Sequence, residues 1–179
     1  FVGGCVRDGL LGHTSADLDI AIDQTPEDSM ALLKGAGIKV IPTGLKHGTI
    51  TAVAGGQHFE ITTLRVDVET FGRHAKVAFT DDWQLDAARR DFTINAIYAD
   101  GDGQIYDPMG GQADLGAGRV VFVGDAAQRI DEDKLRILRF FRFQALFGRG
   151  DPNAAALAAC AAAASGIAAL SGERVRDEI

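Results

Sequence analysis

Apolar positions alternate or form short runs over the first third of the chain and take helical spacing over the last third, which predicts a sheet followed by helices. Phe1-Val2 reads as the end of a strand entering a Gly3-Gly4 turn, with a short helix from Cys5 to Leu11 stopped by Gly12. Leu18-Asp19-Ile20-Ala21-Ile22 reads as a strand with apolar residues on one face and Asp17 and Asp19 on the other. Thr25 and Pro26 supply an N-cap and a first-turn proline for a helix over Pro26 to Lys34. Three further strands are predicted at Ile38 to Ile41, Thr49 to Ala54 and His58 to Leu64, the last two joined by a hairpin turn at Gly55-Gly56. The sheet therefore has about four or five strands.

Asp67 to Asp82 is polar and without periodicity, which predicts a mobile loop, and Trp83 to Tyr98 returns to helical spacing. After turns at Asp100 to Gly103 and Asp107 to Gly111, composition changes near Gly118. A short strand at Val120 to Val123 gives way to one long helix over Arg129 to Phe147. An alanine-rich helix over Ala154 to Ala164 follows, capped by Asp151-Pro152, and a last helix starts at Ser171.

At 179 residues and 46% hydrophobic content the chain is large enough for a soluble, folded core. A net charge of -7 does not advertise a nucleic-acid partner, although arginines concentrate between Arg129 and Arg149. Two cysteines, Cys5 and Cys160, support neither a disulfide framework nor a zinc site and fit a reducing cytoplasm. No apolar run reaches membrane-spanning length. The chain starts within a strand pattern and stops within a helical one, so it reads as part of a longer protein.

Asp17 and Asp19 stand two positions apart, about 6.5 Å between Cα atoms on a strand, so both carboxylates can face one cation. Aspartate is disfavoured on an apolar strand, and a magnesium ion, which takes one or two carboxylates plus phosphates and water, compensates it. The Gly3-Gly4 turn lets backbone approach a phosphate, and the helix after it aims N–H groups at an anion. Glu60, on a neighbouring strand, is either a third carboxylate of this site or a solvated strand glutamate.

Arg89-Arg90-Asp91-Phe92-Thr93-Ile94-Asn95-Ala96 carries adjacent guanidiniums; Arg90 is suited to a triphosphate by bidentate contacts, and an ordinary Arg–Asp pair is the alternative. Asp133, Arg136, Arg139 and Arg142 recur every three residues, a ridge drifting about 60° per step on one helix. So many apolar neighbours leave little exposed face, which places some of these arginines in a cleft. An Asp and an Arg together offer acceptor and donor groups to a base edge. His47, between Lys46 and Gly48, reads as structural and not as an acid–base group.

At Gly3-Gly4-x-x-Arg7-Asp8, Asp17-x-Asp19, Arg89 to Ala96, Glu132-Asp133-x-x-Arg136 and Gly172 to Glu178, the chain resembles the class II tRNA nucleotidyltransferase and bacterial poly(A) polymerase superfamily. The resemblance implies an α+β fold: a polymerase-β-like head over residues 1–118 and an all-α neck over 119–179, with body and tail domains beyond. It implies magnesium on Asp17 and Asp19, with Gly4, Arg7, Arg90, Arg139 and Arg142 in the nucleotide site. Asp133 and Arg136 are then the readers of the CTP or ATP base, and the tRNA 3′ end is the acceptor. Gly44 to Thr51 and Leu64 to His74 are similar to the CCA-adding branch, the second stretch to a flexible loop that helps switch specificity from C to A. Phe71 stands where related loops often carry an acid, which keeps a CC-adding enzyme open beside poly(A) polymerase and a non-catalytic nucleotide or RNA sensor.

Overall fold

The computed structural model describes residues 1–15, 17–71 and 74–179, with the side chains of 69–76 left aside. Helix α1 (Gly4–Leu10) leads to strand β1 (Asp19–Ile22) and helix α2 (Pro26–Gly35), whose cap is the Thr25 hydroxyl accepting from the Asp28 N–H. Strands β2 (Lys39–Gly44), β3 (Thr49–Ala54) and β4 (Gln57–Thr63) complete a four-stranded sheet in the order β1-β4-β3-β2. The β1–β4 pair is parallel and the others antiparallel. Helix α2 covers one face, where Ile50, Ala52 and Ile61 pack with Met30 and Leu33. Four strands are the lower end of the four or five that the pattern allows, and the chain start contributes only Val2, which bridges Tyr98 and donates its N–H to the Asp19 carbonyl.

Residues 67–82, expected as a loop, instead supply most of a hairpin of β5 (Arg65–Phe71) and β6 (His74–Phe79). Val66 and Val68 around Asp67 are a two-residue alternation, the strand signal hidden by the polar composition. The helix expected from Trp83 to Tyr98 is three pieces: α3 (Trp83–Ala88), a 3-10 turn (Thr93–Asn95) and β7 (Tyr98–Ala99), which pairs with β8 (Ile105–Tyr106). Tertiary pairing overrides helical propensity here. Phe92 is extended and bridges Phe122, Thr93 N–H donates to the Val121 carbonyl, and Val123 N–H donates to the Asp91 carbonyl. The expected 120–123 strand is reduced to that one bridge.

Helix α4 (Gly111–Ala117) ends at Gly118, whose φ of 65° is a left-handed cap suited to glycine. The long helix expected over 129–147 is broken into α5 (Ala126–Glu132) and α6 (Leu135–Phe147) at Asp133, which has φ -153° and ψ 111°. Its carboxylate accepts from the Leu135 N–H at 3.1 Å, an aspartate competing with the helix for a backbone donor. Helix α7 (Ala154–Ala163) is capped by Asn153, not by the expected Asp151, since the Asn153 side-chain oxygen accepts from the Ala156 N–H at 2.9 Å. Helix α8 (Gly172–Glu178) starts at Ser171 as expected.

The largest core cluster takes Phe92, Ile94 and Leu115 from before Gly118 and Phe122, Ile130, Ile137, Phe140 and Phe143 from after it. Phe92 and Phe140 are fully buried, and Phe92 lies 5.1 Å from Phe143 between ring centroids. The Arg89 to Ala96 segment is thus anchored by its own phenylalanine against α6, with its charged residues directed to either side. Cys160 is buried in the same cluster, and burial pushes its thiol up to about 11.

Candidate active site

The carboxylates sit at one end of the sheet. Asp19 is the first residue of β1, and Asp17 precedes the strand, so the pair spans a loop-to-strand junction and does not lie wholly on a strand. Both are exposed. The parallel register sets Asp19 directly beside Glu60 of β4, so these two carboxylates share a sheet face. A cleft of about 290 Å³ is lined by Asp19 and Glu60 together with Arg65, Asp86, Arg89 and Arg90.

Among the described residues no three acidic, histidine or cysteine side chains converge into a preformed metal cluster. Asp17, Asp19 and Glu60 therefore do not make a closed cage. Their chemistry nevertheless fits magnesium, which takes hard oxygen donors, needs only one or two carboxylates and fills its remaining positions with phosphate and water.

Arg90 enters the cleft from the end of α3. Its Nε and Nη2 donate to Asp86 Oδ2 at 3.3 and 3.0 Å, and its plane lies over the Tyr98 ring at 5.4 Å. Its Nη1 faces the Gly3 turn: a Cβ on Gly3, whose φ is 75°, would stand 3.4 Å from it. The glycine is suited to that backbone angle, which L side chains rarely adopt. Burial lowers the Arg90 pKa, but Asp86 and Tyr98 outweigh it and the group ends above its ordinary value. Asp86 is buried too; burial raises its carboxyl, and Arg90 and Arg89 more than reverse the effect. Sequence reasoning missed Asp86 and Tyr98. The available signal was Asp86 three and four residues before Arg89 and Arg90 on a helical pattern.

Gly4 opens α1, and Arg7, one turn on, is turned inward. Arg7 donates to Asp8 at 2.9 Å and to the Asn95 side-chain oxygen at 2.7 Å, and lies over the Phe147 ring at 4.2 Å. Asn95 in turn donates to Asp91 at 3.0 Å, and Asp91 accepts from Arg139 Nε at 2.7 Å. Arg139 also reaches Glu178 at 3.5 Å, and Glu178 accepts from Arg142 at 2.6 Å. The chain of contacts runs from α1 to α8. Arg139 and Arg142 are thus held by carboxylates on the helical side, away from the Asp19 cleft lining. Asp91 is partly buried; its desolvation raises the carboxyl, and Arg139 with hydrogen bonds from Asn95 and Phe92 brings it below the ordinary range.

Asp133 and Arg136 lie on either side of the helix break. Asp133 is clasped by Arg174 through bonds of 2.6 and 3.1 Å, the contact that gives the terminal Gly172 to Glu178 motif a role. Arg136 donates to Glu132 and to the Arg129 carbonyl, and at 3.4 Å to the Arg89 carbonyl. Arg129 reaches the Ala88 carbonyl at 3.3 Å, so helices α5 and α6 cap the end of α3 with cations. The His47 carbonyl accepts from the Arg65 guanidinium, a structural contact. Of the stretch similar to a flexible loop, Gly72 and Arg73 lie outside the described residues, and nothing is drawn from the Phe71 side chain.

The chain is similar to known proteins in sequence and in fold. The family profile of the Poly A polymerase head domain matches residues 1–121. The chain is 50% identical over 183 aligned residues to the mitochondrial CCA tRNA nucleotidyltransferase 1 of Homo sapiens, covering 99% of this chain and 42% of that protein. It is 47% identical over 150 residues to the CCA-adding enzyme of Oceanobacillus iheyensis, covering 83% of the chain and 36% of that enzyme. Among solved structures it superposes on the Bacillus stearothermophilus CCA-adding enzyme in complex with CTP with a TM-score of 0.88 and 38% identity, covering 99% of this chain and 42% of that one. The Thermotoga maritima CCA-adding enzyme complexed with tRNA gives 0.77 at 27% identity, over 99% of this chain and 40% of that one. The chain spans about two fifths of the length of these relatives. With the profile covering its sheet, carboxylates and arginine segment, the chain belongs to the poly(A) polymerase head-domain family.

Proposed function

We propose that this chain is the nucleotidyl-transfer part of an enzyme that adds CMP and AMP, from CTP and ATP, to the 3′ end of tRNA without a nucleic-acid template. The observation that carries the reading is the single cleft that Asp19 and Glu60 line together with Arg90, beside the Gly3 turn. Carboxylates and a guanidinium lining one cleft are what transfer of an α-phosphate requires: oxygen donors for a cation and a positive group for the triphosphate. The names of the relatives point the same way.

Residues 1–118 are the catalytic head and 119–179 the helical neck in this reading. Asp17 and Asp19 would hold magnesium, which when bound activates the attacking 3′-hydroxyl and neutralises charge on the leaving pyrophosphate. Glu60 stands beside Asp19 as a further carboxylate able to accept a proton. Gly4 keeps the turn narrow for phosphate, and Arg90 presents Nη1 to it. Arg7, Arg139 and Arg142 stand outside the cleft lining, fastened through the Asn95, Asp91 and Glu178 contacts, and in this reading they extend the nucleotide site on its helical side. Asp133 and Arg136 read the base edge, and their fixed orientation comes from Arg174 and Glu132. Among the described residues no helix is long and apolar enough to cross a membrane. Two free cysteines favour a reducing compartment such as the cytoplasm.

The substrate is tested with tRNA lacking its 3′ CCA and labelled nucleotides offered singly. CTP incorporates and ATP alone does not; label from ATP entering long runs on any RNA end would identify poly(A) polymerase instead. Base reading by Asp133 makes a separate prediction. Asp133→Ala lowers the preference for CTP over UTP by about tenfold, the scale of one charged hydrogen bond, and competition between the two nucleotides measures it. An unchanged preference would remove Asp133 from the base-reading role.

A further inference from the structure

The buried carboxylate of Asp86 makes an unusual set of bonds. Its Oδ1 accepts from the Arg65 backbone N–H at 3.2 Å and from Arg89 Nε and Nη2 at 2.9 and 2.8 Å. Its Oδ2 accepts from Arg90 Nε and Nη2 and from the Tyr98 hydroxyl at 2.7 Å. The residue is 1% exposed. One carboxylate therefore gathers two adjacent guanidiniums, a tyrosine and the first residue of the β5–β6 hairpin.

Burying a charge is costly unless it is paired and hydrogen-bonded, and this one has a partner in every direction. A folding role alone needs only one of the two arginines. What both achieve is geometric: Asp86 holds Arg90 by the edge formed by Nε and Nη2, which turns Nη1 toward the Gly3 turn and the cleft holding Asp19. Arg65 lines the same cleft, and among the described residues its Nε is buried without a hydrogen-bond partner, which leaves a donor there beyond those the described contacts use. A ligand rich in acceptor oxygens, such as a polyphosphate, suits that surplus.

We propose that Asp86 is a positioning residue for nucleotide binding: it aims Arg90 at the triphosphate and ties that aim to the base of the β5–β6 hairpin through the Arg65 N–H. The proposal rests on the nucleotidyl-transfer reading above. Asp86 touches no substrate and acts through Arg90. Because the hairpin base and the triphosphate-facing guanidinium share one carboxylate, a shift of the hairpin at Arg65 is transmitted to Arg90 without any further contact.

The test is CTP binding with magnesium, by equilibrium titration, to the protein and to Asp86→Asn, Arg90→Ala and the double variant, with CMP as the control ligand. Asp86→Asn weakens CTP about tenfold, the scale of one charged hydrogen bond, and leaves CMP unchanged. The double variant binds CTP no worse than Arg90→Ala. CTP affinity equal to that of the unsubstituted protein, or losses that multiply in the double variant, would overturn the role of Asp86. Arg90→Ala binding CTP as tightly as the unsubstituted protein would instead overturn the assignment of the cleft to nucleotide. If Asp86→Asn does not fold, Tyr98→Phe takes its place, since it removes one bond to Oδ2 and keeps both guanidiniums. It weakens CTP about threefold, a fraction of one charged bond, when Arg90 is present and not when Arg90 is alanine; equal losses in both backgrounds, or none in either, contradict the proposal.

Discussion

Replacing Asp19 with alanine is expected to cut CMP incorporation by roughly a thousandfold while leaving the melting temperature unchanged or slightly raised. The asymmetry follows from where the residue sits. Asp19 is exposed at the start of β1, and among the described residues its side chain makes no hydrogen bond or ion pair. Its register neighbour across the parallel pair is Glu60, another carboxylate, so at neutral pH the fold keeps two like charges side by side. Removing one relieves repulsion and takes nothing from the core. Single-turnover incorporation beside a thermal melt reads both halves. A melt lowered by ten degrees, or incorporation within tenfold of normal, would assign Asp19 a structural role.

The opposite pattern is expected at Asp91. Its carboxylate accepts from Arg139, from Asn95 and from the Phe92 N–H, largely shielded from water where the Arg89 to Ala96 segment meets α6. Asp91→Ala leaves the Arg139 charge with only the longer Glu178 contact at 3.5 Å and frees the Asn95 amide that also holds Arg7. Breaking a buried pair in this way costs about 3–5 kcal/mol, which for a chain of this size lowers the melting temperature by roughly 10 °C. Acid acts on the same bonds. The Asp91 and Asp86 carboxyls are held below their ordinary values, so their contribution is fully present above the unfolded value of about 4 and is lost as pH falls through the lower folded values. Melting temperature plotted from pH 7 downward should therefore bend below about 4, and the bend should shrink in Asp91→Asn. A profile identical to that of the unsubstituted protein would contradict the pairing.

These two residues also mark what the sequence could and could not convey. The Gly-Gly turn and strands β3 and β4 were legible because each is a local pattern, a turn dipeptide or a two-residue alternation, whereas of Asp17 and Asp19 only the second stands on the expected strand. The Asp19–Glu60 pairing was open until the parallel register fixed it, since no local signal sets which strands become neighbours. The helix expected through Arg89 to Tyr98 failed for a tertiary reason: Phe92 gains more from bridging Phe122 and packing on Phe140 than from one more helical turn. The single helix expected over 129–147 failed at Asp133, whose carboxylate is claimed by the Leu135 N–H and by Arg174, a residue 41 positions away. Asp86 was invisible for a similar reason. Its spacing to Arg89 and Arg90 is local, but its burial depends on Tyr98 and on the start of the hairpin at Arg65.

The ridge of arginines shows the same limit. Their three-residue spacing was read as one face of one helix, and Arg136, Arg139 and Arg142 do lie together on α6. Their partners come from three other places in the chain: Glu132, Asp91 and Glu178. The charges are therefore not spread as a solvated face but are paired, and two of them reach the segment that carries Arg90: Arg139 through Asp91 and Arg136 through the Arg89 carbonyl.

If one site selects its nucleotides without a template, the ends left on tRNA are the most direct measure of it. With CTP and ATP both present, the products from tRNA lacking its 3′ CCA should, when their ends are sequenced, be one C, two Cs and CCA, with nothing longer. Ends that carry runs of A, or that contain U and G at frequencies set only by their concentrations, would contradict it.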